Sequence, residues 1–272
     1  IETDQTSRDR LERVKTDIRD SYARGGIITL CWHSANPVTG LGYGQNLAPG
    51  SVRAVLPGGM RHIEFLTWLG HVADFLTDLH DDAGASIPVI FRPLHEHNGD
   101  WFWWCIGGSA SSGGPETAVA QNRGETDYDN HRGVAADASP EEFAELWRMI
   151  VRYLRDTRDV HNLLYALSPD RSAISLDHGE FARDYLLGYP GDDMIDVLGL
   201  DDYIDIGRED NPGTPEEVFR GFVRSLEELA ALARSHGKLA AMTEVGTPNA
   251  LAGATVRTWT GFLDRAAGAT ES

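Results

Sequence analysis

The chain of 272 residues carries 42 acidic against 24 basic side chains, a formal net charge of -18. With 41% hydrophobic and 9% aromatic residues it can bury a sizeable core, so intrinsic disorder is excluded, and the length suits one large α/β domain. The acidic excess argues against nucleic acid or an anionic membrane as partner and leaves neutral ligands unaffected.

Ile1-Glu2-Thr3-Asp4 does not look like a natural start, so a processed or truncated N-terminus is expected. No basic-then-apolar leader follows, and no apolar run reaches the about 18 residues that span a bilayer. A first helix is expected over roughly Ser7–Arg24. Strand candidates are Gly26–Trp32, Ile87–His95, Asn162–Leu167, Met194–Leu200 and Lys238–Glu244, compact apolar runs of the kind buried on both faces of a parallel sheet. Between them, Ser139-Pro140-Glu141-Glu142 is a capping box with proline at the first helical position. It opens a helix whose Phe143, Leu146, Trp147, Ile150, Val151 and Leu154 form one apolar stripe. Thr214-Pro215-Glu216-Glu217 repeats the start, with Val218, Phe222, Leu226 and Leu229 following and Gly237 placed to end the helix. A last helix is expected over Thr255–Ala267.

Lysine occurs only at Lys15 and Lys238, so 22 of the 24 basic residues are arginine. That usage fits either a salt-adapted surface or a GC-rich genome. Cys31 and Cys105 are too few for a disulfide scaffold and read as one bridge or two buried thiols. Residues 107–138 are polar and without periodicity, a long loop insertion suited to a lid or to surface decoration.

Alternating strands and helices mean βαβ units, hence a doubly wound sheet or a barrel. No GxGxxG or GxxxxGK[ST] follows any strand, which weakens nucleotide binding. The chemically rich residues sit where strands end: Trp32-His33, His95-Glu96, Ser168-Pro169-Asp170, Asp201-Asp202-Tyr203 and Glu244. A barrel builds its active site there, so this distribution favours a (β/α)8 TIM barrel.

The segment from Phe91 to Trp104 holds a carboxylate, Glu96, beside His95 and before Trp101, Phe102, Trp103 and Trp104. Sugar rings stack on indoles, and a positioned carboxyl can protonate a glycosidic oxygen. Four consecutive aromatics cannot all face one core, so at least one is expected to line a cleft. Glu244 ends a buried strand, with Gly246 permitting a tight turn beyond it, and would complete the carboxyl pair of a glycosidase.

Arg92-Pro93-Leu94-His95-Glu96, followed by Asn98-Gly99 and the aromatic run, resembles the acid/base motif of glycoside hydrolase family 26. Trp32-His33-Ser34-Ala35-Asn36-Pro37, Leu198-Gly199-Leu200-Asp201-Asp202-Tyr203 and Thr243-Glu244-Val245-Gly246 are similar to its third, sixth and seventh strand motifs, in the expected order. The resemblance covers about Gly26 to Gly246. It implies a retaining β-mannanase-like glycosidase, with Glu96 as general acid/base and Glu244 as nucleophile. It further implies that His95 shapes the site, that Trp101 stacks on a sugar and that Tyr203 orients the nucleophile, with His33 and Trp32 on the glycone side. It also implies a polysaccharide substrate, β-mannan first, with lichenan-type β-glucan or β-1,3-xylan as alternatives. A secreted monomer that needs no metal or other cofactor is expected.

The five strands match the family's third to seventh, so an incomplete barrel is expected: residues 1–272 as a single catalytic domain that is a fragment of a longer reading frame. Two other readings compete. A metal-dependent barrel hydrolase would use His95 and His97, alternating onto one face if the strand continues, with His33 and Asp201; it has no HExxH or zinc-spaced cluster in its favour. A non-catalytic carbohydrate-binding barrel would use the same tryptophans without needing both Glu96 and Glu244.

Overall fold

The computed structural model describes residues 5–42, 47–107, 136–206, 213–246, 265, 266 and 268. Five strands form one parallel sheet in sequential order: β1 (Ile28–Trp32), β2 (Val89–Pro93), β3 (Leu163–Leu167), β4 (Val197–Asp202) and β5 (Leu239–Val245). The expected incomplete barrel is thus a five-stranded half-barrel, in which β1 and β5 each pair on one side among the described residues. Their exposure reflects this. Leu239, at the start of β5, is 61% exposed, and Ile27, just before β1, is 83% exposed.

The helices are α1 (Gln5–Ala23), α2 (Ser51–Val55), α3 (His62–Thr77), α4 (Pro140–Arg152), α5 (Glu180–Tyr185) and α6 (Pro215–His236). No helix among the described residues is long and apolar enough to cross a membrane. Both capping boxes form. Ser139 Oγ accepts from Glu142 N at 3.2 Å, while Glu142 Oε2 accepts from Ser139 N at 2.9 Å. Thr214 and Glu217 repeat the exchange, and Gly237 ends α6 in the left-handed region at φ 65°. The apolar stripe of α4 is buried, Phe143, Leu146, Trp147 and Ile150 completely. Ser139→Ala removes the acceptor for one helix-start N–H and is expected to lower stability by about 1 kcal/mol, read as a lower midpoint in denaturant unfolding.

Three helices escape the sequence reading. α3 buries Phe65, Leu69, Ala73 and Leu76 at helical spacing, a legible signal, but it starts after Arg61 without a side-chain cap. α2 and α5 are single turns and a half, too short to carry a period. The expected helix at Thr255–Ala267 lies outside the described residues except 265 and 266, which are helical. Of the loop at 107–138, residues 108–135 also lie outside them; its ends are tied together, Gly107 N donating to Ala138 O at 2.9 Å.

Strand boundaries shift in one way that matters. The run expected to reach His95 stops at Pro93, because Leu94 (φ 56°) and Glu96 (φ 52°) turn the chain through the left-handed region. A non-glycine residue held there costs about 1–3 kcal/mol and persists only where neighbours enforce it. Here Glu96 N donates to Ser168 O at 2.7 Å and Trp104 Nε1 donates to His95 O at 2.8 Å.

Candidate active site

The site grows from the carboxyl ends of β1, β2, β4 and β5. Arg92, near the end of β2, is buried and faces across the sheet. Its Nη1 donates to Asp201 Oδ1 at 2.8 Å and to Ser168 Oγ at 2.9 Å, and its Nη2 donates to Glu244 Oε1. Tyr203 supplies the second contact on Glu244, its hydroxyl donating to Oε2 at 3.1 Å.

A bulge brings Glu244 to this position. The β4–β5 register shifts between Leu200 and Asp201: Leu200 pairs with Met242, whereas Asp201 pairs with Glu244. Thr243 is the extra residue, and its Oγ1 donates to Asp201 Oδ1 at 2.6 Å. Consecutive side chains on a regular strand face opposite ways, so only the bulge lets Thr243 and Glu244 both reach Asp201 and Arg92. Gly199 makes room for it, since a Cβ there would stand 2.7 Å from Thr243.

Glu96 enters from the turn after β2. One oxygen each of Glu96, Asp201 and Glu244 lie within 4.8 Å of one another. Glu96 is 9% exposed, and burial, reinforced by the charges of Asp170 and Glu244, pushes its carboxyl up to about 7. Trp101 opposes this by donating Nε1–H to Glu96 Oε2 at 2.6 Å, and Arg92 opposes it through space. Burial likewise raises Asp201 well above the ordinary carboxylate range, with Arg92 acting against the shift. Two carboxyls at this separation, one of them with a pKa raised to near neutrality, are what acid/base and nucleophilic work on a glycosidic bond requires.

The aromatic run divides as its length demands. Phe102, Trp103 and Trp104 are buried in the core, and Trp101 alone is half-buried, against the acid/base candidate. Gly99 permits that approach, because a Cβ there would stand 2.6 Å from the Trp101 ring. Trp101→Phe keeps a ring but removes the N–H that favours the Glu96 carboxylate. The Glu96 pKa should therefore rise above about 7, and the alkaline limb of kcat/KM should move to higher pH. A limb that stays put would mean that Glu96 does not set it.

His95 and His33 lie beside the carboxylates, their rings 4.3 Å apart and at 66° to each other. Burial keeps His95 neutral, far below the usual imidazole value, and lowers His33 less. Trp32 stands apart. Alternation along β1 puts Cys31 and His33 on one face and Trp32 on the other, where its ring stacks on Phe65 of α3 at 5.9 Å and 24°. The structure therefore brings together Glu96, Glu244, His95, His33, Trp101 and Tyr203, but not Trp32. Arg92, Asp201 and Thr243 are the residues whose roles sequence reasoning missed; all three stood inside quoted motifs, Arg92 and Thr243 without a part to play and Asp201 only as a ligand in the metal reading.

The competing metal constellation of His95, His97, His33 and Asp201 does not assemble. The strand does not continue through His97, which is fully buried, stacked on Phe143 at 4.3 Å with Nε2 at 2.9 Å from Leu187 O. Asp201 groups with the glutamates and Arg92 rather than with histidines. The two cysteines are free thiols rather than a bridge, Cys105 buried and Cys31 half-buried against His95.

The sequence profile of Glycosyl hydrolase family 26 matches residues 3–267. A mannan endo-1,4-beta-mannosidase of Bifidobacterium adolescentis is 36% identical over 230 residues, 85% of this chain and 19% of that protein. A GH26 beta-mannanase from Bacteroides ovatus, BoMan26A, superposes with a TM-score of 0.67 at 33% identity, over 88% of this chain and 57% of that one. A modular endo-beta-1,4-mannanase from Cellulomonas fimi gives 0.71 at 31% identity, over 95% and 48% respectively. The chain thus spans less than two thirds of the length of these relatives. With the profile running through every strand and both carboxylate-bearing strand ends, the chain belongs to glycosyl hydrolase family 26.

Proposed function

We propose that this protein hydrolyses β-1,4-mannosidic bonds in mannan-type polysaccharides with retention of configuration. The observation that carries the reading is that one oxygen of Glu96 lies within 4.8 Å of one oxygen of Glu244, the two carboxyls in unequal surroundings. Retaining glycosidases hold their two carboxyls about 5–5.5 Å apart, whereas inverting ones leave about 6.5–9.5 Å for a water. Glu244, touched by the Arg92 guanidinium and the Tyr203 hydroxyl, attacks the anomeric carbon. Glu96, whose pKa is raised to about 7, protonates the departing oxygen; it then takes a proton from the water that releases the sugar. Trp101 stacks on a sugar beside the scissile bond, His95 shapes the site beside Glu96, His33 lines the glycone side, and Trp32 supports that side from behind β1.

The substrate rests on relatives named as mannanases, of which B. adolescentis, B. ovatus and C. fimi provide three. β-Glucan of the lichenan type and β-1,3-xylan are the alternatives within the same chemistry. A polymer cannot cross a bilayer, so we place the activity outside the cell, in a monomer that uses no cofactor. Release of reducing sugar from mannan, lichenan and β-1,3-xylan tests this, with mannan expected to be hydrolysed fastest. Faster hydrolysis of either alternative would overturn the substrate; binding of mannan oligosaccharides without hydrolysis of any polymer would make this a binding protein.

A further inference from the structure

Cys31 is a polar group at the site for which the proposed reaction has no use. It lies on β1 two residues before His33, so alternation aims both side chains at the same face. Its Sγ is 3.2 Å from His95 Nδ1, and one ligand atom from each of Cys31, His33 and His95 lies within 4.8 Å of the others. A tetrahedral zinc ion, with bonds of about 2.3 Å to sulfur and 2.0–2.1 Å to nitrogen, needs ligand atoms about 3.3–3.6 Å apart. The cysteine–histidine pair, now in hydrogen-bond contact, stands slightly inside that spacing and opens a little as the ion enters, and His33, which is exposed, closes the remainder by turning its ring.

We propose that Cys31, His33 and His95 bind a thiophilic divalent cation of the Zn2+ class, and that its occupancy blocks the sugar-binding side of the cleft. One thiolate and two imidazoles are soft and borderline donors, which select zinc over magnesium or calcium. The thiol proton leaves to solvent as the Zn–S bond forms, and water from the open side completes the coordination. Glu96, Asp201 and Glu244 are near enough for their charges to act on Cys31 and add attraction for a cation, against the repulsion of the Arg92 guanidinium, which acts on the same thiol. Those three carboxyls are a poorer site themselves, because the Arg92 guanidinium already stands against Asp201 and Glu244. The metal lies where a sugar would contact His33, so it opposes the reaction rather than taking part in it. The inhibitory consequence rests on the catalytic reading of the site; the binding does not.

Two measurements separate them. Co2+ serves as the spectroscopic probe, and its addition to the wild-type protein should produce a near-ultraviolet thiolate-to-Co2+ charge-transfer band that Zn2+ abolishes. Cys31→Ser should lack that band while hydrolysing mannan at the wild-type rate, and its inhibition by Zn2+ should weaken at least about tenfold through loss of the sulfur ligand. As a check that needs no variant, Zn2+ should protect Cys31 from iodoacetamide, read by peptide mass spectrometry on the wild type. Absence of the charge-transfer band together with undiminished alkylation would overturn the site, whether or not the protein is active. Undiminished Zn2+ inhibition in Cys31→Ser would place the inhibiting ion elsewhere and overturn the blocking role.

Discussion

Glu244→Ala is expected to lower kcat/KM on mannan by about 10,000-fold or more, the scale on which loss of a catalytic nucleophile acts when the remaining machinery cannot substitute for it. Glu96→Ala should be as damaging on mannan but not on an activated aryl β-mannobioside. The aryl leaving group needs no proton, so Glu244 can still attack and a glycosyl-enzyme should accumulate as a burst. Azide distinguishes the two further. In Glu96→Ala it replaces water at the second step, and the glycosyl azide keeps the β configuration. In Glu244→Ala it occupies the space the carboxylate has left, attacks once, and gives the α product. These opposite anomers follow from two carboxyls on opposite faces of the anomeric carbon, with oxygens no more than 4.8 Å apart in the free protein. The same anomer from both variants would exchange or abolish the assigned roles. The full wild-type rate in either variant would remove that residue from the reaction.

Much of this site is legible in the sequence because its parts are local. Glu96 follows an apolar strand and precedes an aromatic run, Glu244 closes another strand, and the capping boxes at Ser139 and Thr214 announce two of the longer helices. The parts that stayed hidden are relations between segments. Nothing in Leu239-Ala240-Ala241-Met242-Thr243-Glu244 announces a bulge, because the extra residue exists only relative to β4, where Asp201 skips Thr243 to face Glu244. Arg92 is visible as a letter in a motif, but its partners come from β4 and β5, 109 and 152 residues further on, and from Ser168 after β3. The side of β1 on which Trp32 lies is a matter of register, and a shift of one residue would have exchanged it with Cys31 and His33. The aromatic run by itself required at least one cleft-facing ring without saying which, and only the resemblance pointed to Trp101; burial of Phe102, Trp103 and Trp104 leaves that ring.

Arg92→Met should cost both folding stability and activity, and the two losses should be separable. Arg92 is buried, and its guanidinium is the shared cationic partner of Asp201 and Glu244. Removing one member of a buried ion pair typically costs about 3–5 kcal/mol, because the charge left behind has neither water nor partner. In a domain of this size that corresponds to a fall in Tm on the order of 10 °C. The pH dependence follows from the carboxyls. Burial already raises Asp201, and Arg92 opposes the shift, so losing Arg92 raises it further. The folded state then holds a proton that the unfolded chain, with an aspartate pKa near about 4, releases. Stability must therefore fall as pH rises above that value, and the deficit relative to wild type should be larger at pH 8 than at pH 5. Glu96 moves in the same direction, since Arg92 also favours its charged form. Arg92→Lys should recover little, because a single ammonium cannot reproduce a fork that reaches Asp201, Ser168 and Glu244 together. Adding Asp201→Asn to Arg92→Met removes one of the stranded carboxyls, and with it the proton uptake that folding would demand, and should restore part of the stability while leaving hydrolysis lost, since Glu244 remains without its guanidinium. Thermal unfolding at the two pH values, alongside mannan hydrolysis, reads all three variants. An Arg92→Met protein as stable as wild type at pH 8 would mean that the Asp201–Arg92–Glu244 contacts do not hold the three strands together.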